Sequence, residues 1–248
     1  MVSRRRNGLL LDRRTFLLGA GLSGIGLLGP GRPAAAQATA PTSPRSCRPT
    51  DPLQALRDGN ARFAAAWQQA DQTRSDDARA QRMAALWSGH CFVPASVLTQ
   101  GQAPWATVLT CADSRVAPEW IFDAAPADLF VIRSAGNTAF AAAIASVEFS
   151  VLELATPLVM VMGHSGCGAV TAARSGTAPT PLLKELLTPI RAAIRPDQDL
   201  EAAIQANARE AAQQLISRSA VIEAAVNDGN LRIVVGYFDI GSGTVTLV

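Results

Sequence analysis

The sequence predicts an α/β fold in which a mostly parallel β-sheet is covered by helices, and three observations carry that prediction. Two short apolar runs, 105–110 and 158–162, have strand length but lack the alternation of a half-exposed strand, so each reads as a strand buried on both faces. An alanine-rich helical stretch, 138–154, is stopped by Thr156-Pro157 and separates a strand at 129–132 from the one at 158–162. This β-α-β unit implies parallel pairing and a right-handed crossover. A polar cluster follows each apolar run directly: Cys111-Ala112-Asp113-Ser114-Arg115 after the first, His164-Ser165-Gly166-Cys167 after the second. Strand C-terminal ends are where open α/β sheets gather ligands.

The remaining elements follow in chain order. Residues 1–36 read as a twin-arginine signal peptide: Arg13-Arg14-Thr15-Phe16-Leu17 precedes a glycine-diluted apolar region, and Ala34-Ala35-Ala36 offers small residues for cleavage. Cleavage after Ala38 fits nearly as well. The apolar region is too short to span a bilayer, which needs about 20 residues, so no stable membrane anchor is expected after cleavage. Export, to the periplasm by the twin-arginine route, is the expected localisation. Residues 37–50 are rich in Pro, Ser and Thr and read as a loose mature N-terminus. Residues 51–248 are expected to form one catalytic domain. Asp51 caps a helix with Pro52 at its first position, and Leu53, Leu56, Phe63 and Trp67 give it an apolar face. Further helices are expected at 76–87, 181–194 and 199–226, with a strand at 231–238 and a hairpin partner at 244–248. Gly163 is expected to turn the chain into the His164 loop, and a helix opening near Cys167 places that sulfur where the helix dipole favours a thiolate.

Charge narrows the partners. The chain of 248 residues has a net charge of +2, but six of its 22 basic residues and one of its 20 acidic ones lie before Ala36. The body is therefore mildly acidic and lacks the basic excess that neutralising nucleic-acid phosphates requires. Of the four cysteines, Cys91 can pair with Cys47 in an oxidising compartment, or stand beside His90 as a metal half-site, or simply lie in a packed edge. Spacing leaves all three open.

Cys111, His164 and Cys167 are a normal zinc set, two thiolates and an imidazole, with the fourth position left for water or the carboxylate of Asp113. Arg115 stands two residues beyond Asp113, and its rigid fork matches a carboxylate bidentately. If the two pair, Asp113 is held off the metal.

The motifs Cys-x-Asp-Ser-Arg and His-x-x-Cys, in this order, resemble the paired signature of the β-class carbonic anhydrases. The resemblance extends through Gly101-Gln102, Ala117-Pro118-Glu119, residues 128–133, Ala135-Gly136-Asn137, residues 163–169 and Gly236-Tyr237-Phe238-Asp239 with Gly243, and so covers about residues 51–248. It implies zinc-dependent reversible hydration of CO₂ to bicarbonate and a proton by a zinc-bound hydroxide, with Zn²⁺ on Cys111, His164 and Cys167 and the Asp113–Arg115 dyad orienting the nucleophile. It also implies a homodimer or higher even oligomer in which Gln102 reaches the substrate of the neighbouring subunit, and N-terminal helices that reach over that neighbour. Phe149 is expected either to wall the substrate pocket or to sit in the core. Gly136 and Asn137 are expected to be structural. Two thiolates make the zinc less acidifying than three imidazoles do, so an alkaline optimum is expected.

Some members of that class close at low pH, when the motif aspartate leaves its arginine for the metal, supported by bicarbonate in a nearby pocket. The positions that would line the pocket here are Val108, Ala117, Arg133 and Phe238, of which Arg133 alone carries a charge, so Asp113 is expected to remain on Arg115. Other readings are hydrolysis of CS₂ or COS by the same nucleophile and a non-catalytic zinc protein of the same fold. A set of disulfides would leave His164 unexplained.

Overall fold

The computed structural model describes residues 47–176 and 178–248. The expected signal peptide and residues 37–46 of the expected loose N-terminus lie outside the described residues. Five strands, β1 (Ala106–Cys111), β2 (Leu129–Ser134), β3 (Leu158–His164), β4 (Arg232–Asp239) and β5 (Thr244–Leu247), form one sheet in the order β2-β1-β3-β4-β5. The first four run parallel and β5 closes the edge as an antiparallel hairpin partner of β4. The expected β-α-β unit is present, but its two strands are not neighbours. Both β2 and β3 pair with β1, which lies between them, so the crossover steps over one strand.

Every residue of β1 and β3 is buried, as their unbroken apolar runs require. Alternate side chains serve opposite faces. Val108, Met160 and Met162 pack towards α1 (Pro52–Asp71) and the short α4 (Pro118–Ile121) with Leu56, Phe63 and Ile121. Leu109, Val159 and Val161 meet α5 (Ala141–Leu152) and α8 (Leu200–Ser217) through Val147, Ala208 and Leu215. A third cluster lies under α6 (Gly168–Ser175) and α7 (Pro181–Ala193), and it contains Cys111 and Cys167. Among the described residues no helix is long and apolar enough to cross a membrane.

Three local expectations are corrected. The helix expected over 199–226 is two helices, α8 and α9 (Ala220–Asn227), because Ser219 accepts from Ile222 N at 3.1 Å as an N-cap and donates to Glu148 Oε1 at 2.6 Å. Gly163 is not at a turn; it lies inside β3, and a Cβ there would stand 2.8 Å from Cγ2 of Ile204, so glycine lets α8 approach the strand. The helix expected over 76–87 ends as α2 (Asp76–Ala85) and tightens into a 3₁₀ turn at Leu86–Gly89. A fourth short helix, α3 (Ala95–Leu98), was not expected.

The α1 helix starts where the sequence indicates, with Asp51 Oδ1 accepting from Gln54 N at 3.0 Å and Pro52 in the first turn. Its hold on the sheet is polar as well as apolar. Asn60, 6% exposed, donates through Nδ2 to the carbonyls of Ile121 (3.1 Å) and Gly243 (2.9 Å), and its Oδ1 accepts from Val245 N at 2.7 Å. Replacing it strands those partners, at about 1–3 kcal/mol for each buried group left unmet. Asn60→Ala is expected to lower the urea midpoint without changing the denaturant slope. A midpoint equal to the parent's would show that this link contributes nothing.

Candidate metal centre

The cluster is assembled by three backbone ends. Cys111 is the last residue of β1, His164 the last of β3, and Cys167 the N-cap of α6. All three are buried, with 4%, 0% and 1% exposure, and their ligand-type atoms lie within 4.8 Å of one another. The His164 loop is fastened to β4: Ser165 N donates to Phe238 O at 2.8 Å and Ser165 Oγ accepts from Ile240 N at 2.9 Å. His164 Nδ1 is 3.0 Å from Ser165 O, and since a carbonyl can only accept, Nδ1 carries the proton. Nε2 is then a bare lone pair, buried without a hydrogen-bond partner. The two sulfurs stand 4.0 Å apart. Two thiolates bound tetrahedrally to one zinc at about 2.3 Å would be roughly 3.8 Å apart, so the donor set and its spacing fit that cation.

With only protons to share, the sulfurs are unequal. The Cys111 thiol is drawn down to about 4 by the hydrogen bond it receives from Cys167, helped by the backbone N–H of Gly136, which lies 3.3 Å from its sulfur. Cys167 is pushed up because it is the donor of that bond and because it is buried; the N–H groups of Ala169 and Val170 at the start of α6 pull it the other way but do not prevail. Without a metal, the bond between the sulfurs thus favours charge on Cys111 and opposes the helix terminus at Cys167.

Asp113 and Arg115 pair as expected. Nε of Arg115 donates to Oδ1 at 2.9 Å, Nη2 to Oδ2 at 2.7 Å, and the Arg115 backbone N–H to Oδ1 at 2.9 Å. These bonds, the guanidinium first, hold the Asp113 carboxyl well below the usual carboxylate range. The sign follows: a depressed carboxylate supports the fold throughout the neutral range and loses that support only as acid reaches its own low pKa. Asp113 Oδ2 lies 3.8 Å from His164 Nε2, beside the cluster and turned to the arginine.

Arg133 has a backbone role as well: its Nε donates to Cys111 O at 3.1 Å and its Nη2 to Asp113 O at 2.7 Å, so it braces the first motif. Val108 and Phe238 are core residues, the latter 6.4 Å ring to ring from Phe63, and Ala117 caps α4. Gln102 is exposed in the loop before β1, whereas Cys111 closes that strand about 20 Å further on. The structure does not gather it into its own chain's cluster. Phe149 is not in the core: it is 47% exposed on α5, its ring 6.2 Å from that of Phe130.

Sequence reasoning missed the Gly136 N–H and the Arg133 brace, because both act through backbone atoms. It also had no partner for His90. That ring is buried, with Nε2 2.6 Å from Asp123 Oδ1, and Arg62 Nε holds the other oxygen of Asp123 at 2.6 Å. Beside it Cys47 and Cys91 form a disulfide, their Cα atoms 5.1 Å apart.

A parallel α/β sheet that ends two thiols and an imidazole on a single point, with a carboxylate–guanidinium pair alongside, defines a class of metal-centre proteins. Residues 106–245 match the family model described as carbonic anhydrase. The chain is 33% identical over 208 residues to carbonic anhydrase 2 of Mycobacterium tuberculosis, which spans 80% of this chain and 92% of the relative, and 32% identical over 211 residues to the carbonic anhydrase of Mycolicibacterium smegmatis, with 80% and 93% covered. Its fold superposes on a tetrameric β-carbonic anhydrase of Sordaria macrospora with a TM-score of 0.56 at 25% identity, over 62% of this chain and 84% of the other. The chain belongs to the β-class carbonic anhydrase family.

With Cys111 drawn down and Cys167 pushed up, metal uptake near pH 7 is expected to release about one proton per chain. Calorimetric titration of the metal-free protein with Zn²⁺ in buffers of different ionisation enthalpy measures this number. Release of two protons would show that both sulfurs are thiols before the metal arrives.

Proposed function

We propose that this protein is an exported, zinc-dependent carbonic anhydrase that interconverts CO₂ with bicarbonate and a proton. The observation that carries the reading is the bare, buried Nε2 of His164 beside two sulfurs 4.0 Å apart, with Asp113 drawn aside by Arg115. Cys111, His164 and Cys167 would hold the zinc ion. When bound, zinc would supply the Lewis acidity that makes its water easier to ionise, less strongly with two thiolates than with three imidazoles. The chain's own residues do the rest. Asp113, kept ionised by Arg115, accepts a hydrogen bond from the attacking water and fixes the direction of its lone pair. Arg115 is itself steadied by Gly166 O at 3.2 Å, which ties the dyad to the loop between His164 and Cys167.

The bidentate hold of Arg115 on Asp113 supports a fourth position that stays open. A structural zinc site would instead offer a fourth protein ligand. Gln102, far along its own chain from the cluster, and Phe149, exposed on α5, fit roles completed by a second subunit, with Gln102 donating to the substrate there and Phe149 covering its apolar side. An even oligomer follows from that reading.

Residues 1–36 would direct folded protein out through the twin-arginine route, leaving 37–50 as the mature N-terminus and 51–248 as the catalytic domain. The Cys47–Cys91 disulfide supports an oxidising destination.

The function is tested by dyad and ligand variants. Asp113→Asn is expected to lower kcat by about 100-fold while retaining one zinc per chain, and Cys111→Ala to release the metal. CO₂ hydration at the parent rate by Asp113→Asn would refute the role given to the carboxylate. Export of folded, metal-loaded protein has its own consequence: in exported material Cys111 and Cys167 should resist alkylation until zinc is chelated, while Cys47 and Cys91 remain disulfide-bonded. Mass spectrometry of a Cys111–Cys167 disulfide in active exported enzyme would sink it.

A further inference from the structure

The turn that follows β2 meets two of the three ligand-bearing elements, β1 and α6. Gly136 N donates to Cys111 Sγ at 3.3 Å, and a Cβ on Gly136 would stand 3.1 Å from the Ala169 Cβ of α6 and 2.5 Å from Ile190 Cδ1 of α7. Its backbone is unusual over two consecutive residues, φ +76° at Gly136 and +47° at Asn137. Glycine takes the first without cost and asparagine tolerates the second. A turn of this kind, carrying a single hydrogen bond to a ligand sulfur, needs support on its other side.

That support comes from a helix that contributes no donor to the cluster. Asn207, 3% exposed on α8, donates through Nδ2 to Gly136 O at 2.8 Å and reaches Asn137 Oδ1 at 3.4 Å. The carbonyl it grips and the N–H that meets the sulfur belong to the same residue. Fixing the carbonyl fixes the peptide plane that follows the glycine, and so narrows the φ and ψ through which the N–H on the preceding plane is aimed at the sulfur.

We propose that Asn207 is a positioning residue for the metal centre, holding Gly136 so that its N–H meets the Cys111 sulfur and moderates how strongly that thiolate donates to the metal. The proposal rests on the zinc reading given above. A thiolate that accepts an N–H bond gives up some donor strength but is held in the direction the metal needs; losing an outer partner of this sort commonly costs 10–100-fold in metal affinity, because the orientation lost outweighs the donor strength regained. A merely structural asparagine would affect stability alone. The molecule contains a comparison for that case, since Asn60 is also buried and also donates to two backbone carbonyls, but in α1 and away from the cluster.

Cobalt(II) serves as the spectroscopic probe, because its thiolate-to-metal charge-transfer band reports the donor strength of the sulfurs. Asn207→Ala, and the near-isosteric Asn207→Asp, which at neutral pH has no N–H to offer Gly136 O, are loaded with Co²⁺ alongside the parent and Asn60→Ala. The expected result is a charge-transfer band at longer wavelength and about 10-fold weaker metal affinity, by competition with a chromophoric chelator, in both Asn207 variants. Asn60→Ala should lose stability while keeping the parent's band and affinity. A parent-like band in metal-loaded Asn207→Ala or Asn207→Asp overturns the proposal and leaves the zinc reading intact. Absence of any thiolate band in the cobalt-loaded parent overturns the zinc reading itself, and the proposal with it.

Discussion

The adjacency of β1 and β3 is the constraint on which the centre depends. Parallel pairing sets Thr107 against Val159 and Thr110 against Met162, so the two strands finish side by side and deliver Cys111 and His164 to the same end of the sheet. Both strands are buried throughout, so their register is secured on two faces at once; a slip of one residue would send every side chain to the wrong core. Cys167 needs only the three-residue step to the start of α6. The third donor is therefore placed by a local turn, while the first two are placed by the whole sheet.

Around these donors the structure uses backbone groups more than side chains. The Gly136 N–H meets the Cys111 sulfur, the Ser165 carbonyl fixes the His164 tautomer, and the carbonyls of Cys111 and Asp113 are held by Arg133. Dipoles of this kind are fixed by the fold and do not reorganise as charge moves, which suits a site whose chemistry transfers a proton. The Asp113–Arg115 pair adds side-chain charge beside them, its guanidinium more open to solvent than its carboxylate.

The donors themselves were legible because strand ends and helix starts are local signals: an apolar run, then Cys-x-Asp-Ser-Arg or His-x-x-Cys, names the residue and its place together. The order of strands was less legible. The β-α-β stretch indicated that β2 and β3 run parallel, but nothing within 129–162 says that β1 inserts between them. That choice is made by long-range packing of Val108 and Leu109 against opposite faces. Ser219 broke a helix through a bond to Glu148, 71 residues away, and His90 found its partner in Asp123, 33 residues on. Cys167 was read from its helix position alone, whereas its proton is decided by the sulfur opposite. In each case a side chain answered to a neighbour that periodicity does not describe.

The disulfide between Cys47 and Cys91 acts on a state that no contact in the folded chain describes. It joins residues 44 apart in sequence, and in the chain-entropy account closing a loop of that length removes roughly 4 kcal/mol of freedom from the unfolded ensemble. The folded molecule gains that margin only where the bond can form. The same sequence thus has two stabilities, set by the redox potential around it and not by its packing. A sample made under reducing conditions would keep its sheet and its cluster of donors, yet unfold at a lower temperature than one in which this pair is oxidised.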